Sequence, residues 1–358
     1  MIKEIGSIFP LEDTYSPHSE PAFDGGVSDF VLYSLCREAL YDIAVSFDGQ
    51  NNKVLIPAYT CETVITPFKE AGWTCYYYNI NKDLRIDTKF LEDLSNRIEP
   101  ALVVVHPYYG MNLNGQEVDT LRGIRARGTR IVMDLTHCIF AEQGDDFVDY
   151  YVGSFRKWFS IPDGAFLKVN GGDSRFQVPQ DENVAFVTKQ ADAMFLRNQY
   201  FQSEVMPLKA ISIRLNKLAE GLADHHIKPH RMSSFSKELK RQQDERVIEE
   251  RRRENFAFLF NHLNQGSNCC FICSDLSDLS ATPLYFAIYV ENREPLQRVL
   301  AENRIYAPVL WPNDYAELLV SEDVDYIYQH ILAIPCDQRY GKEDMERIVC
   351  VINNFTSK

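Results

Sequence analysis

The segment DYYVGSFRKWF, residues 149–159, combines an apolar run typical of a buried strand with a lysine in the turn that follows. The run leads to Ser154 and, three residues later, to Lys157, which lies between bulky aromatic residues. Partial burial destabilises an ammonium group, lowers its pKa and leaves the amine available for Schiff-base chemistry. The alternative is a lysine whose stem lies along an aromatic rim while its head stays in water. This segment alone favours that alternative, so the rest of the chain has to decide.

Strands and helices alternate through the first half of the chain. Apolar runs such as KVLIP (53–57) and ALVVVHP (101–107) lack polar alternation, which indicates strands covered on both faces. Predicted strands cover residues 53–57, 74–80, 101–107, 130–134, 150–155 and 165–169, and predicted helices cover residues 30–47, 60–72, 87–98 and 116–127. This order indicates an α/β fold with a mostly parallel central sheet covered by helices.

The second half predicts a different organisation. Helices are expected over residues 181–226 and 235–264, the latter as one long charged helix, then strands over 284–290, 304–309 and 331–335 and helices over 294–303 and 342–354. We therefore divide the chain into an N-terminal arm (1–26), a large α/β domain (27–232), and a bridging helix with a smaller C-terminal α+β domain (233–358).

The composition argues against several classes of partner. The chain has 358 residues, 45% of them hydrophobic, and a formal net charge of -14. Nucleic acid and anionic membranes both require a basic surface. The first residues, MIKE, lack the apolar core of a signal peptide, and no run approaches the roughly 20 apolar residues of a membrane span. We expect a cytoplasmic protein without nucleic-acid or membrane partners.

Two clusters of metal-binding residue types are interpreted as structural. The C-C-x-x-C sequence at 269–273 has no second Cys or His pair at the spacing of a zinc finger, and the histidines at 225, 226 and 230 are typical of a solvated helix end. The nine cysteines are dispersed over a long chain. We therefore expect reduced thiols and no metal site.

Polar residues follow three of the predicted parallel strands. Since ligands bind beyond the carboxyl ends of such strands, His106, Asp134 and the segment 154–157 are expected to converge on one crevice. Asp134 could pair with a protonated ring nitrogen, and His137 could reach a neighbouring ring oxygen. The alternatives are a helix cap for Asp134 and a hydrogen-bonded structural histidine for His137. Pyridoxal phosphate (PLP) needs such a set: a Schiff-base lysine, an acid at the pyridine nitrogen and a phosphate cup.

Two segments are candidates for that phosphate cup. Ser154 lies three residues before Lys157, and SLCREAL (34–40), which contains Cys36 and Arg37, lies where a helix begins. A helix N-terminus offers free amides and the positive end of its dipole to a phosphate. The alternative is a purely structural helix start, because Asp29 could cap the helix earlier.

These motifs resemble, in their order, those of the DegT/StrS-type sugar aminotransferases, which are PLP enzymes of fold type I. The resemblance runs from about Ser34 to Asn354. It rests on SLCREAL (34–40), PAYTC (57–61), DLTH (134–137), SFRK (154–157), HRMS (230–233), RREN (252–255), IYAPV (305–309) and LAIP (332–335).

The resemblance implies roles for particular residues. Lys157 would form the Schiff base with PLP, Asp134 would bind the ring nitrogen, and His137 would contact the phenolic oxygen. Ser154 would bind the phosphate beside the helix start at Cys36 and Arg37. Arg231 would reach the active site of the neighbouring subunit in a homodimer.

Two departures from the family pattern concern the surroundings of Lys157. Cys61 stands where the family has an aromatic residue stacked on the cofactor ring, which makes Tyr59 a candidate for that stacking. Gly164 and Ala165 stand where the family has a glycine pair. These departures bear on the substrate and on some phosphate contacts more than on the cofactor itself.

The function that we predict is a PLP-dependent aminotransferase. It would pass an amino group from a donor such as glutamate to a keto group, expected on a nucleotide-linked sugar, with Lys157 also moving the proton. A PLP-dependent dehydratase or eliminase of the same fold is one alternative, although the family branch that dehydrates sugars has histidine in place of the lysine. A non-enzymatic protein that keeps the fold is the other.

Overall fold

A computed structural model describes residues 3–11, 30–47, 49, 51–173, 175–224, 227–266, 268–279, 281–312 and 315–356. Most of the predicted N-terminal arm and two of the three clustered histidines, His225 and His226, lie outside the described residues. Among the described residues, no helix is both long and apolar enough to cross a membrane.

The elements of the first half are β1 (Ile5–Gly6), β2 (Phe30–Tyr33), α1 (Cys36–Val45), β3 (Lys53–Pro57), α2 (Glu62–Glu70), β4 (Thr74–Tyr78), α3 (Thr88–Ile98), β5 (Leu102–Val105), α4 (Gly115–Ala126), β6 (Arg130–Asp134), β7 (Tyr150–Ser154) and β8 (Ala165–Val169). Those of the second half are α5 (Val184–Ser203), α6 (Met206–Ala223), α7 (Ser234–Arg241), α8 (Glu245–His262), β9 (Cys270–Phe271), β10 (Phe286–Tyr289), α9 (Arg293–Glu302), β11 (Ile305–Tyr306), α10 (Glu322–His330), β12 (Ile331–Ile334) and α11 (Lys342–Thr356).

A seven-stranded sheet in the order β2-β8-β7-β6-β5-β3-β4 carries the first half of the chain. The five strands from β7 to β4 are parallel, whereas β8 and β2 are antiparallel additions at one edge. Every residue of β5, Leu-Val-Val-Val, is buried, because helices cover both faces of a parallel sheet. The predicted α/β architecture with a mostly parallel central sheet is therefore confirmed.

Residues 30–47, predicted as a single helix, form a strand and then a helix, so that prediction is wrong. Phe30 to Tyr33 pair antiparallel with β8, and α1 begins only at Cys36. A short aromatic and β-branched run fits a strand as well as a helix, and the partner strand that decides between them is remote in sequence.

The long helix predicted over residues 235–264 is also wrong, because it is two helices. The Asp244 carboxylate accepts hydrogen bonds from the backbone N–H groups of Arg246 and Val247, which starts α8 as a new helix after α7. The strand predicted over 304–309 shrinks to Ile305–Tyr306, which pairs with β1. The helix α10 was not predicted.

Two large buried clusters form the core. One surrounds the seven-stranded sheet, and the other lies among α8, α9, α11 and the small antiparallel sheet β12-β10-β9. The first cluster also includes Val324, Ile327 and Tyr328 from α10. Since the larger core thus contains residues from both halves, the division of the chain at residue 232 stays a prediction.

Candidate functional site

A cavity of about 290 Å³ lies at the carboxyl ends of β5, β6 and β7. It brings His106, Asp134, Ser154 and Lys157 together, as the edge of a parallel sheet predicts. The lining residues are Leu35, Cys36, Arg37, Leu40, Thr60, Cys61, Thr63, Val64, His106, Asp134, Thr136, His137, Ser154, Arg156, Lys157, Glu220, Leu284, Tyr285, Leu310 and Trp311.

Asp134 ends β6 as a buried carboxylate. Its Oδ1 accepts a hydrogen bond of 2.9 Å from the backbone N–H of Thr136, which turns the chain and brings His137 to the cavity. Its Oδ2 lies 3.6 Å from His106 Nδ1. Burial alone would raise the pKa of Asp134, but interaction with His106 and hydrogen bonds from Thr136 outweigh it and hold the pKa below the ordinary value. Asp134 therefore caps a turn and also presents an ionised carboxylate.

Two ring nitrogens in the cavity wall have no hydrogen-bond partner among the described residues. They are His106 Nε2 and His137 Nδ1, both buried. Burial, together with the positive potential of His106 and Lys157, lowers the pKa of His137 well below its ordinary value, so that ring is neutral. Buried polar atoms without partners are rare in folded proteins. Two of them at one cavity indicate that a polar ligand completes the site.

Lys157 lies in the turn after β7 and extends into the cavity. The turn is held by Trp158, whose buried indole Nε1–H donates to the Thr136 carbonyl at 2.8 Å. The Lys157 side chain keeps accessible surface because it faces the cavity, although protein atoms surround the site. These surrounding protein atoms desolvate the ammonium group of Lys157. The desolvation, and after it the positive charge of Arg156, lowers the pKa of Lys157, whereas the negative charge of Glu220 opposes the shift. The amine is thus deprotonated more readily than a surface lysine.

Two helices begin at the cavity wall. The residues that precede them, Leu35 before α1 and Cys61 before α2, make no side-chain hydrogen bond to the first turn. Cys36 and Arg37 line the cavity as predicted for a phosphate cup, but the Arg37 guanidinium donates to the Ala223 carbonyl at 3.0 Å and to Asp224 at 2.6 Å. The backbone amides of α1, rather than the guanidinium, are the groups left to bind an anion.

Two predicted site residues are not among the described residues that line the cavity. Tyr59 is buried behind it, where its hydroxyl lies 3.0 Å from that of Tyr109. Arg231 lies outside the cavity and its Nε is 3.4 Å from Glu182 Oε1. The role predicted for Arg231 concerns a neighbouring subunit, so both assignments stay predictions.

Sequence reasoning missed several residues of the cavity wall, and two of them make specific contacts there. Trp311 stacks on His137, with ring centroids 5.3 Å apart and planes 22° from parallel. Glu220, on α6, accepts hydrogen bonds from Arg156 at 2.7 and 3.1 Å. Neither residue lies in a motif. Both arrive by tertiary packing from elements far along the chain.

Gly164, one of the two residues at the family's glycine pair, is required by the backbone. It has φ of 137°, and an added Cβ would lie 2.8 Å from Met232 Cε. Its neighbour Ala165 is an ordinary buried residue of β8. The structure thus needs the first glycine and accommodates alanine at the second position.

The residues present fit pyridoxal phosphate. An ionised carboxylate suits a protonated pyridine nitrogen, unpartnered imidazole nitrogens suit the phenolic oxygen, and the start of α1, where Leu35 makes no side-chain hydrogen bond to the first turn, suits the phosphate beside Ser154. Lys157 supplies an amine of lowered pKa for the aldehyde. His137 and Trp311 supply aromatic surface next to the ring site.

Comparison with solved structures agrees with this arrangement. The chain has the fold of the sugar aminotransferases. Helicobacter pylori PseC, an aminotransferase of pseudoaminic acid biosynthesis, is 14% identical, with a TM-score of 0.67 and coverage of 99% of this chain and 100% of that one. The sugar aminotransferase CalS13 from Micromonospora echinospora is 14% identical, with a TM-score of 0.65 and coverage of 94% and 90%.

A third similar structure is a DegT DnrJ EryC1 StrS aminotransferase from Brucella abortus, which is 14% identical, with a TM-score of 0.63 and coverage of 93% of this chain and 87% of that one. No protein-family model matches the chain, and no curated protein matches it by sequence. At these identities the likeness establishes the fold alone.

Proposed function

We propose that the chain is a PLP-dependent aminotransferase that delivers an amino group to a keto group, on a nucleotide-linked sugar. The observation that carries the proposal is that Lys157, with its lowered pKa, and the ionised Asp134 line one cavity. The dehydratase and the non-enzymatic alternatives have no specific observation in their favour.

Different residues of the cavity would bind different parts of the cofactor and so orient it. Lys157 would attach it, the N–H groups at the start of α1 and the Ser154 hydroxyl would bind its phosphate, and Asp134 would hold a proton on its ring nitrogen. His137, as a neutral imidazole, can donate a hydrogen bond to the phenolic oxygen. When bound, PLP supplies an electron sink for negative charge that develops on the substrate carbon.

Lys157 has a second task in this proposal, which is to move a proton. Its pKa is lowered by burial and by Arg156, so the neutral amine forms more readily than in a surface lysine and can act as a general base and then, once protonated, as an acid. Trp311, Leu284 and Tyr285 add aromatic and apolar surface to the cavity lining.

The test is covalent attachment of the cofactor. The purified protein is mixed with PLP and reduced with borohydride, and the labelled peptide is identified by mass spectrometry. We expect a yellow protein that borohydride bleaches, with the label on Lys157. Lys157→Ala should lose the label, and the matched control Lys168→Ala, from β8, should keep it. A protein that binds no PLP, or a label that persists in Lys157→Ala, would refute the proposal.

A second step separates the alternatives that share the cofactor. The PLP-loaded protein is mixed with glutamate in a single turnover. An aminotransferase converts glutamate to 2-oxoglutarate and retains the amino group on the cofactor. A dehydratase leaves glutamate unchanged, and such a result would contradict the aminotransferase proposal.

We also propose a homodimer. Of the five large apolar side chains that helix α6 exposes, three, Ile211, Leu218 and Leu222, have a spacing that places them on one face. Exposed apolar surface of this kind marks protein interfaces. A Leu218→Glu variant should shift the protein from dimer to monomer in light scattering, whereas the control Arg127→Glu, at an exposed position at the end of α4, should leave the dimer intact. A wild-type monomer would refute this assignment.

The free thiols support a reducing compartment such as the cytoplasm.

A further inference from the structure

A second cavity, of about 670 Å³, adjoins the first one. Arg156, Lys157, Glu220, Tyr285 and Leu310 line both, so the two spaces meet at the lysine. The larger cavity continues between α5, α6 and α8 on one side and the paired strands β1 and β11 on the other. A ligand in it can therefore reach Lys157 at one end.

The wall of the larger cavity is basic in a chain of net charge -14. Six basic residues line it within the described ranges: Arg156, Lys157, Arg197, Lys209, Arg252 and Arg339. The two acidic residues that line it are both paired, Glu220 with Arg156 at 2.7 Å and Asp337 with Arg339 at 2.7 Å. Apart from Lys157, three cations therefore have no acidic partner in the wall itself.

Of these three cations, Arg197 gives the strongest indication of a ligand. It is 2% exposed, and its Nε and Nη1 have no hydrogen-bond partner in the part of the chain that the structure describes. The nearest carboxylate, Glu4, lies 3.5 Å from Nη1 and accepts instead from Lys209 at 2.5 Å and from the Tyr200 hydroxyl at 2.9 Å. One carboxylate thus serves two cations. An unsatisfied buried guanidinium is costly unless an acceptor completes it.

Arg252 adds a second positive charge that lacks a carboxylate hydrogen bond. It is 1% exposed, and its guanidinium donates to neutral acceptors, the Gln338 Oε1 at 2.9 Å and the Leu284 carbonyl at 3.0 Å. Its guanidinium carbon lies 4.4 Å from the ring of Trp158, next to Lys157 in sequence. Positive potential therefore extends from Arg197 to the neighbourhood of Lys157.

We propose that the larger cavity is an anion subsite, in which Arg197, supported by Lys209 and Arg252, binds a carboxylate or phosphoryl group of a substrate whose reacting end lies at Lys157. The subsite rests on the proposed function for the identity of that reacting end. A guanidinium binds either kind of anion through paired N–H donors, and removal from water strengthens the attraction. The Glu4 carboxylate would compete with the ligand for Arg197 and Lys209.

Two probes distinguish the source of the anion. Inorganic pyrophosphate represents the diphosphate of a nucleotide-linked acceptor, and glutarate represents the dicarboxylate of an amino donor such as glutamate. Each is titrated by calorimetry into the PLP-treated wild-type protein. Binding of pyrophosphate alone assigns the subsite to the acceptor, and binding of glutarate alone assigns it to the donor. Absence of binding by both probes would overturn the proposal.

The variants test the residues that carry it. Arg197→Met should weaken the bound probe about tenfold or more, the loss expected for one hydrogen bond to a charged group. Arg214→Met removes the same charge from the exposed face of α6 and should leave the affinity unchanged. Glu4→Gln should tighten binding severalfold, because it removes the competing carboxylate. A merely structural role for Glu4 predicts no tightening.

Loss of folding is controlled by the double variant. Glu4→Gln/Arg197→Met removes both charges and leaves no unpaired buried carboxylate, so circular dichroism should report a folded protein that still binds the probe weakly. Equal affinity in Arg197→Met and Arg214→Met would refute the subsite. Labelling of Lys157 by PLP and borohydride is measured separately in the wild type. If Lys157 is labelled but Arg197→Met leaves the probe affinity unchanged, only the subsite is refuted. If Lys157 is not labelled but Arg197→Met weakens probe binding, only the proposed function is refuted.

Discussion

Glu220 accepts two hydrogen bonds from Arg156, at 2.7 and 3.1 Å, directly beside Lys157. The carboxylate raises the pKa of Lys157, whereas burial and the Arg156 charge lower it. The pair therefore moderates the positive potential at the lysine without cancelling it. Its geometry makes Glu220, on a helix far from the Lys157 turn in sequence, a positioning residue of the cavity.

Glu220→Gln should lower the pKa of Lys157 further, because it removes a negative charge and leaves Arg156 uncompensated. The pH dependence of Lys157 acetylation by acetic anhydride, followed by mass spectrometry without cofactor, gives this pKa. We expect the midpoint to move to lower pH, and to stay in place in the exposed control Glu250→Gln. A midpoint that moves upward would contradict this electrostatic assignment.

The same ion pair should make stability depend on pH in acid. Burial would raise the pKa of Glu220, but Arg156 outweighs it and lowers the pKa to about 2, below the ordinary glutamate value. A depressed carboxylate pKa stabilises the folded state above the unfolded pKa, and that contribution is lost as the pH falls toward 2. Urea unfolding between neutral pH and acid should show a smaller acid-induced loss of stability in Glu220→Gln than in the wild type. Parallel curves would show that the pair contributes nothing.

Much of the sheet could be predicted because its signals are local. The bounds of β3, β6 and β8 follow directly from apolar runs, and the start of α3 follows from Asp87, whose side chain accepts from the Phe90 N–H. The strand β2 could not be predicted, because only pairing with β8 distinguishes it from the first turn of a helix. An element can be predicted from sequence when its apolar run or its capping residue is decisive. An element such as β2, whose sequence fits a strand and a helix equally well, is decided by tertiary pairing.

The residues of the candidate site also fall into those that could be predicted from sequence and those that could not. Asp134, His137 and Lys157 follow strand ends, and the parallel-sheet rule brings strand ends together. Glu220 and Trp311 reach the cavity from α6 and from the segment after β11, by packing that no local pattern encodes.

Trp311 should contribute to the binding of PLP. Cys61 offers no aromatic ring to the cavity and Tyr59 lies behind it, whereas Trp311 lines it and stacks on His137. Aromatic contacts are worth about 0.5–1.5 kcal/mol, so Trp311→Ala should raise the dissociation constant for PLP about two- to twelvefold. Equilibrium dialysis measures this. Trp311→Phe should retain most of the affinity, and Phe195→Ala, at an exposed position on α5, should retain all of it. Unchanged affinity in Trp311→Ala would exclude the contact.

The close packing of β7 against β8 should make Gly153 intolerant of a side chain. An added Cβ at Gly153 would lie 2.7 Å from Cε1 of Phe166, which is itself buried against Phe30 and Phe155. Phe166 therefore has little freedom to move, and Gly153→Ala should lower the free energy of unfolding by about 1–3 kcal/mol.

Gly123 provides the matched control for this substitution. It lies inside α4, where an added Cβ would meet no atom closer than 3.8 Å. Gly123→Ala should therefore stabilise the protein by about 0.5–1 kcal/mol, since alanine restricts the unfolded chain and favours the helix. Urea unfolding of both variants measures the two effects. Because Gly153 immediately precedes Ser154, labelling of Lys157 by PLP and borohydride should also fall in Gly153→Ala and not in Gly123→Ala. Equal stability of the two variants would show that Phe166 yields, and that the turn carrying Lys157 is less tightly held than this packing indicates.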